Sequence, residues 1–176
     1  MIMDKAKRLI AGVALLFVFN VNNAQAHTTE ISEISDFRVV GSGILTLWGI
    51  PIYRATLYSS DGVYISDRTH ALHIDYYFGI SRDDLAEQSL EEMEKLFGAR
   101  PEKSRQQEEL AAVFKDVVKG DHLTGIHYVG QGAVFYANGK LIGRLGDSKL
   151  ASEFFAIWLS SDTREPKLRS SLLGEG

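Results

Sequence analysis

The segment 117–160, VVKGDHLTGIHYVGQGAVFYANGKLIGRLGDSKLASEFFAIWLS, constrains the fold more than any other part of the chain. Asn138-Gly139 separates two short apolar runs. A two-residue turn matched to strand twist needs positive φ at both central positions, which this dipeptide accepts. Gly130-Gln131-Gly132 marks a second reversal just upstream. After the last strand, Asp147 is placed to cap a helix carrying Leu150, Ala151, Phe154, Phe155, Ile157, Trp158 and Leu159. An apolar face that wide does not suit a solvated helix, so it is expected to pack on the sheet that its own hairpins build.

The N-terminus reads as a targeting segment rather than as fold. A basic lead (MIMDKAKR) precedes the apolar run 9–19, and a polar stretch ends in Ala24-Gln25-Ala26. A charged start, a short apolar core and a small-x-small site predict a secretory signal peptide, 1–26, cleaved after Ala26. The expected mature chain, 27–176, is long enough for one domain with its own core. It has no later apolar run long enough for a permanent membrane span. There is no cysteine, which excludes a cysteine-linked lipid anchor, disulfides and thiolate metal centres. A secreted chain held by its core alone suits the periplasm. The net charge of −4 comes with no basic stretch interleaved with aromatics, so no nucleic-acid partner is expected.

Between these ends the patterning is mixed. Residues 27–36 are polar and read as a frayed lead-in. Residues 37–47 alternate loosely around Gly41-Ser42-Gly43, where glycine inside a strand signals a bulge or a close backbone approach. Strands are expected over 52–59 and 71–78, with a short one at 63–65. In the first of these, Tyr53, Ala55 and Leu57 share one face and Arg54, Thr56 and Tyr58 the other. Ser81 and Asp84 open a helix with an apolar stripe through Leu85, Leu90, Met93 and Phe97. A second helix is predicted over 104–119 from Leu110, Val113, Phe114 and Val117, with Gly120 as its stop. The polar tail ends in Leu172-Leu173, expected to tuck onto the domain. The order implies one α+β domain, an open-faced antiparallel β-sheet covered on one face by a layer of helices.

Three stretches carry a resemblance. GSGILTLWGIPIYRATLY resembles the opening segment of chalcone isomerase-like proteins. FKDVVKGDHLTGIHYVGQG resembles their phenylalanine-containing helix, its Gly-Asp exit and the next strand. NGKLIGRLGDSKLASEFFAIWLS with the closing LRSSLLG is similar to the secreted bacterial branch of that family. The resemblance implies a ligand cleft between sheet and helices. In the plant enzymes of the family, which close a chalcone to a flavanone, an arginine steers the phenolate. A threonine, a tyrosine and an asparagine line the cleft, and other relatives bind fatty acids without known catalysis. Aligned here, the arginine position falls on Leu45, the threonine on Tyr53, the tyrosine on Ser81 and the asparagine on Gln88. Leucine cannot stabilise a developing oxyanion, so no catalytic residue is assigned and an enzyme is not expected.

The residues themselves suggest few sites. Arg54, a lone guanidinium in an apolar strand, reads either as a clamp for a ligand carboxylate or as the solvated side of a half-buried strand. The tyrosines offer an apolar ring with a polar tip, and equally are good strand residues. His70 and His73 fall on opposite faces of one strand, as do His122 and His127 of another. None has the helical spacing of a metalloprotease motif, so no metal and no cofactor are expected. Asp121 reads as a turn residue. The expected function is a periplasmic, non-catalytic protein holding a small apolar or fatty-acid-like ligand, with Tyr53, Arg54, Ser81 and Gln88 as candidate ligand-binding residues. The alternatives are an envelope module that binds a protein partner, and an isomerase-like enzyme of altered chemistry.

Overall fold

Six strands form one sheet in the order of the sequence, each antiparallel to its neighbour. They are β1 (Arg38–Leu47), β2 (Ile50–Ser59), β3 (His70–Tyr76), β4 (His122–Tyr128), β5 (Gly132–Ala137) and β6 (Lys140–Leu145). Two helices, α1 (Arg82–Phe97) and α2 (Lys103–Val113), intervene between β3 and β4. Two more, α3 (Ser148–Leu159) and α4 (Pro166–Leu172), follow β6. The computed structural model describes residues 31–175. The signal peptide expected over 1–26, with cleavage after Ala26, lies outside the described residues. The fold class is α+β, an antiparallel sheet with helices packed on one face.

The turns and caps follow from their chemistry. Asn138 and Gly139 have φ of 49° and 74°, and Trp48 and Gly49 turn the first hairpin the same way at 51° and 79°. Ser81 caps α1, its hydroxyl accepting from the Asp84 amide at 3.1 Å and donating to the Asp84 carboxylate at 2.8 Å. Asp147 caps α3 by accepting from the amides of Lys149 and Leu150 at 3.0 and 2.9 Å. Gly41 answers to a close approach. A Cβ there would stand 2.2 Å from the Ser171 carbonyl oxygen and 2.7 Å from that of Leu172, so the backbone of α4 lies directly against β1.

Period-two alternation sorts the strands between two cores. Ala55, Leu57, Leu72, Ile74, Leu123 and Phe135 face the helices and join Leu90, Met93, Leu110, Phe154 and Phe155 in the main cluster. The far face holds a smaller cluster of Tyr58, Ala71, Ile126, Val134 and Tyr136. It is covered by Ile31 and Ile34, 2 % and 0 % exposed, on a 3₁₀ turn at Ser32–Ile34. The lead-in is therefore not frayed from Ile31 onward. Its isoleucines three apart and Phe37 drive it onto the sheet, and the Glu33 carboxylate accepts a hydrogen bond from the Tyr136 hydroxyl.

Two further expectations are corrected. The helix predicted over 104–119 ends at Val113. Residues 114–118 instead form a strap, with Val117 and Ile80 exchanging two backbone hydrogen bonds of 2.9 Å and Asp116 accepting from the Arg82 amide at 2.8 Å. Phe114 and Val117 still reach the core, 6 % and 3 % exposed, so a helical spacing of apolar residues is satisfied by extended chain. Residues 63–65 form no strand. Tyr64 turns in to pack edge-on against His70, with ring centroids 5.2 Å apart.

Candidate functional site

A cavity of about 750 Å³ lies between the sheet and the helical layer. Its wall on the sheet side includes Leu45 of β1, Tyr53 of β2, Leu72, Ile74 and Tyr76 of β3 and Leu123 of β4. Leu85 and Gln88 of α1 and Phe154 and Trp158 of α3 face them. These positions follow from the patterns that build the elements: every second residue of a strand, and the inward stripe of each helix. The aromatic side is an interlocked set. Phe154 meets Phe135 and Trp158 edge-on at 5.5 and 5.3 Å, and Phe135 meets Phe114 at 5.4 Å, so this wall is stiff.

Polar groups are few inside and concentrated at one end. The Tyr53 hydroxyl accepts a hydrogen bond from the Trp158 indole at 2.8 Å. Burial raises the Tyr53 phenol well above its ordinary range, and that of Tyr76 likewise, so both remain neutral and act as hydrogen-bonding groups rather than bases. The exposed end carries Glu92, Lys95 and Arg164, whose ammonium and guanidinium both reach the Glu92 carboxylate, at 2.7 and 3.3 Å.

The four candidate residues separate. Tyr53 and Gln88 line the cavity. Ser81 does not: it is the exposed N-cap of α1, committed to Asp84. Arg54 does not either, because alternation along β2 turns it to the far face, where it lies opposite Asp75 of β3. Leu45, where the resemblance places the arginine of the plant enzymes, is in the cavity wall and is aliphatic. Among the described lining residues the cations are Lys95 and Arg164, with side chains 39 % and 59 % exposed at the mouth. The aromatic wall was missed by sequence reasoning. Phe135, Phe154 and Trp158 carry the spacing of core residues, and nothing in that spacing distinguishes a filled core from a cavity wall.

The histidines pair across strands rather than along them. His70 of β3 and His127 of β4 meet on the helical face, Nε2 to Nδ1 at 3.3 Å, with Phe155 stacked on the His127 ring at 4.8 Å and 9°. Burial, reinforced by the proximity of His70, lowers His127 to about 4, and burial lowers His70 as well. His73 and His122 meet on the far face.

A family model described as chalcone isomerase-like matches residues 19–174. The fold is also that of an Arabidopsis thaliana fatty-acid binding protein, known from a crystal structure. The similarity has a TM-score of 0.61 at 12 % identity, over 78 % of this chain and 87 % of that one. No curated protein matches the sequence. At that identity the structural likeness speaks for the fold alone, while the family match spans most of the chain. The chain belongs to the chalcone isomerase-like family.

Proposed function

We propose that this protein is a non-catalytic carrier of a small amphipathic ligand, an acyl chain with a polar end, held between the sheet and the helices and encountered in the periplasm after export. The observation that carries the reading is the cavity. Its volume of about 750 Å³ falls within the roughly 300–1,000 Å³ of small-molecule sites. An aliphatic and aromatic wall would stabilise a bound chain by about 0.8 kcal/mol per buried methylene. Tyr53 and Gln88 supply neutral hydrogen-bonding groups inside for the polar end. Lys95 and Arg164 at the mouth are paired with Glu92, beside Glu91 and Glu165, and would have to exchange that partner to meet a ligand carboxylate. The same fold serves fatty-acid binding in the plant protein. Leu45 argues against the isomerase chemistry, since an aliphatic group offers no stabilisation to developing negative charge.

Native mass spectrometry of the protein isolated from its own periplasm, followed by denaturing extraction, tests the reading. The expected result is one acyl chain per protein, released on denaturation and displaced by a fluorescent polyene fatty acid. Leu45→Trp, which fills the cavity from the edge hairpin, should abolish that displacement while the melting curve stays cooperative. A clean apo mass, with no uptake of fatty acids by folded protein, would refute the carrier and favour a protein-binding envelope module.

A further inference from the structure

The far face of the sheet carries a second constellation, separated from the cavity by the thickness of the sheet. β3 and β4 are registered so that Asp75 lies opposite His122 and His73 opposite Thr124. His73 and Asp75 are two apart on one strand, so all of these side chains project from the same face. One ligand atom from each of His73, Asp75 and His122 lies within 4.8 Å of the other two. His73 Nε2 is 3.2 Å from Asp75 Oδ1, and the two imidazole rings are 4.9 Å apart at 38°. We propose that His73, Asp75 and His122 form a binding site for a divalent first-row transition-metal ion, with Zn²⁺ as the probe of choice.

Three features support a metal rather than a plain histidine–aspartate contact. The first is the donor set. Two imidazoles and a carboxylate are the ligand types of open zinc sites, in which three protein ligands leave a position for water. The second is spacing. Tetrahedral ligands at zinc bond lengths stand about 3.3 Å from one another, which the His73–Asp75 separation of 3.2 Å already meets. His122 offers a ring nitrogen within 4.8 Å of both, and the β3–β4 register holds its backbone opposite Asp75. The third is the orienting partner. His73 Nδ1 is 2.9 Å from the Thr124 hydroxyl, which holds the ring and leaves Nε2 directed at the Asp75 carboxylate. Outer partners of this kind set the orientation and basicity of metal-binding histidines. A histidine–aspartate hydrogen bond by itself needs neither the threonine nor a second imidazole.

Burial also suits an entry path. His73 and His122 are 2 % and 9 % exposed, whereas the Asp75 side chain is 32 % exposed and forms the open edge. Arg54, opposite Asp75 on β2, places a positive charge on the same face and moderates the attraction for a cation.

The test uses the full chain, prepared without an added histidine tag and stripped with a chelator. Zn²⁺ is titrated calorimetrically, and Co²⁺ absorption reports the coordination geometry. The expected result is saturation at one ion per chain, with an at least tenfold loss of affinity in Asp75→Asn and in His122→Gln. Thr124→Val keeps all three ligands and should still weaken binding about tenfold. Asp75→Asn changes a part-exposed group, so its folded state serves as the control, and its melting temperature should no longer rise with Zn²⁺ as the parent's does. Absence of saturable binding, or binding unchanged in Asp75→Asn and His122→Gln, would overturn the proposal. Because this site lies on the other face of the sheet, either result leaves the carrier reading where it stood.

Discussion

The buried pair His70 and His127 should make the stability of this protein fall with acid before its carboxylates titrate. His70 Nδ1 lies 2.9 Å from the Arg68 carbonyl oxygen, which can only accept, so that nitrogen carries the proton. His70 Nε2 is then an acceptor for the Nδ1–H of His127, leaving His127 Nε2 to face the Ser152 hydroxyl at 3.3 Å. Both rings are neutral in this arrangement. A proton added to His127 would place a charge on a ring 4 % exposed and stacked on Phe155. The pKa of His127 is accordingly depressed from its ordinary 6.5 to about 4 by burial and then by the neighbouring His70.

A depressed histidine leaves the unfolded chain binding more protons, so its contribution to stability is complete above the unfolded value and disappears as pH falls toward the folded one. With 6.5 unfolded and about 4 folded, the loss from this residue is about 2 kcal/mol at about pH 5 and approaches a limit of about 3 kcal/mol. His70, lowered in the same direction, adds to it. Urea unfolding at a series of pH values from about 7.5 down to about 4.5 measures the loss. The comparison is with His127→Gln, which cannot titrate and so isolates the histidine from the carboxylates. The stability difference between the two proteins should shrink by about 2 kcal/mol on acidification to about pH 5. Parallel curves for parent and variant over that range would refute the reasoning.

Two other consequences are open to measurement. Arg100 and Glu153 form an ion pair of 2.6 Å with side chains 6 % and 13 % exposed, so Arg100→Met should lower stability by about 3 kcal/mol. Arg100→Met with Glu153→Met should recover much of that loss in thermal or urea unfolding, because no charge is then left buried. Gly41→Ala sets a methyl group against the backbone of α4 and should cost at least about 2 kcal/mol. Limited proteolysis of the variant should cut first in the C-terminal segment after Thr163, where α4 is displaced; resistance equal to the parent's would contradict that packing.

Local chemistry made much of this fold legible. The positive φ of Asn138 and Gly139, the caps at Ser81 and Asp147 and the close approach at Gly41 are each written in two or three neighbouring residues. The strap at 114–118 was hidden because Phe114 and Val117 fit a helical stripe as well as they fit an extended segment held by Ile80. What decides between them is the tertiary partner, which local spacing does not contain. The same division runs through the sites. Alternation tells that Tyr53 and Arg54 face opposite ways, and only Tyr53 reaches the cavity. Ser81 carries two signals at once, and its capping role is the one seen in the structure. The histidine pairs depend on the register of β3 against β4, and no spacing along either strand reveals it.

That register has a kinetic side. Every other strand pairing joins segments connected by a short turn or loop, whereas β3 and β4 must find each other across both α1 and α2. Loop-closure entropy is therefore largest at this one seam, and non-local pairing of that kind is what slows folding. Both histidine pairs straddle it, one on each face. An ion bound by His73, Asp75 and His122 would fasten the two halves of the sheet like a removable cross-link and should slow their separation.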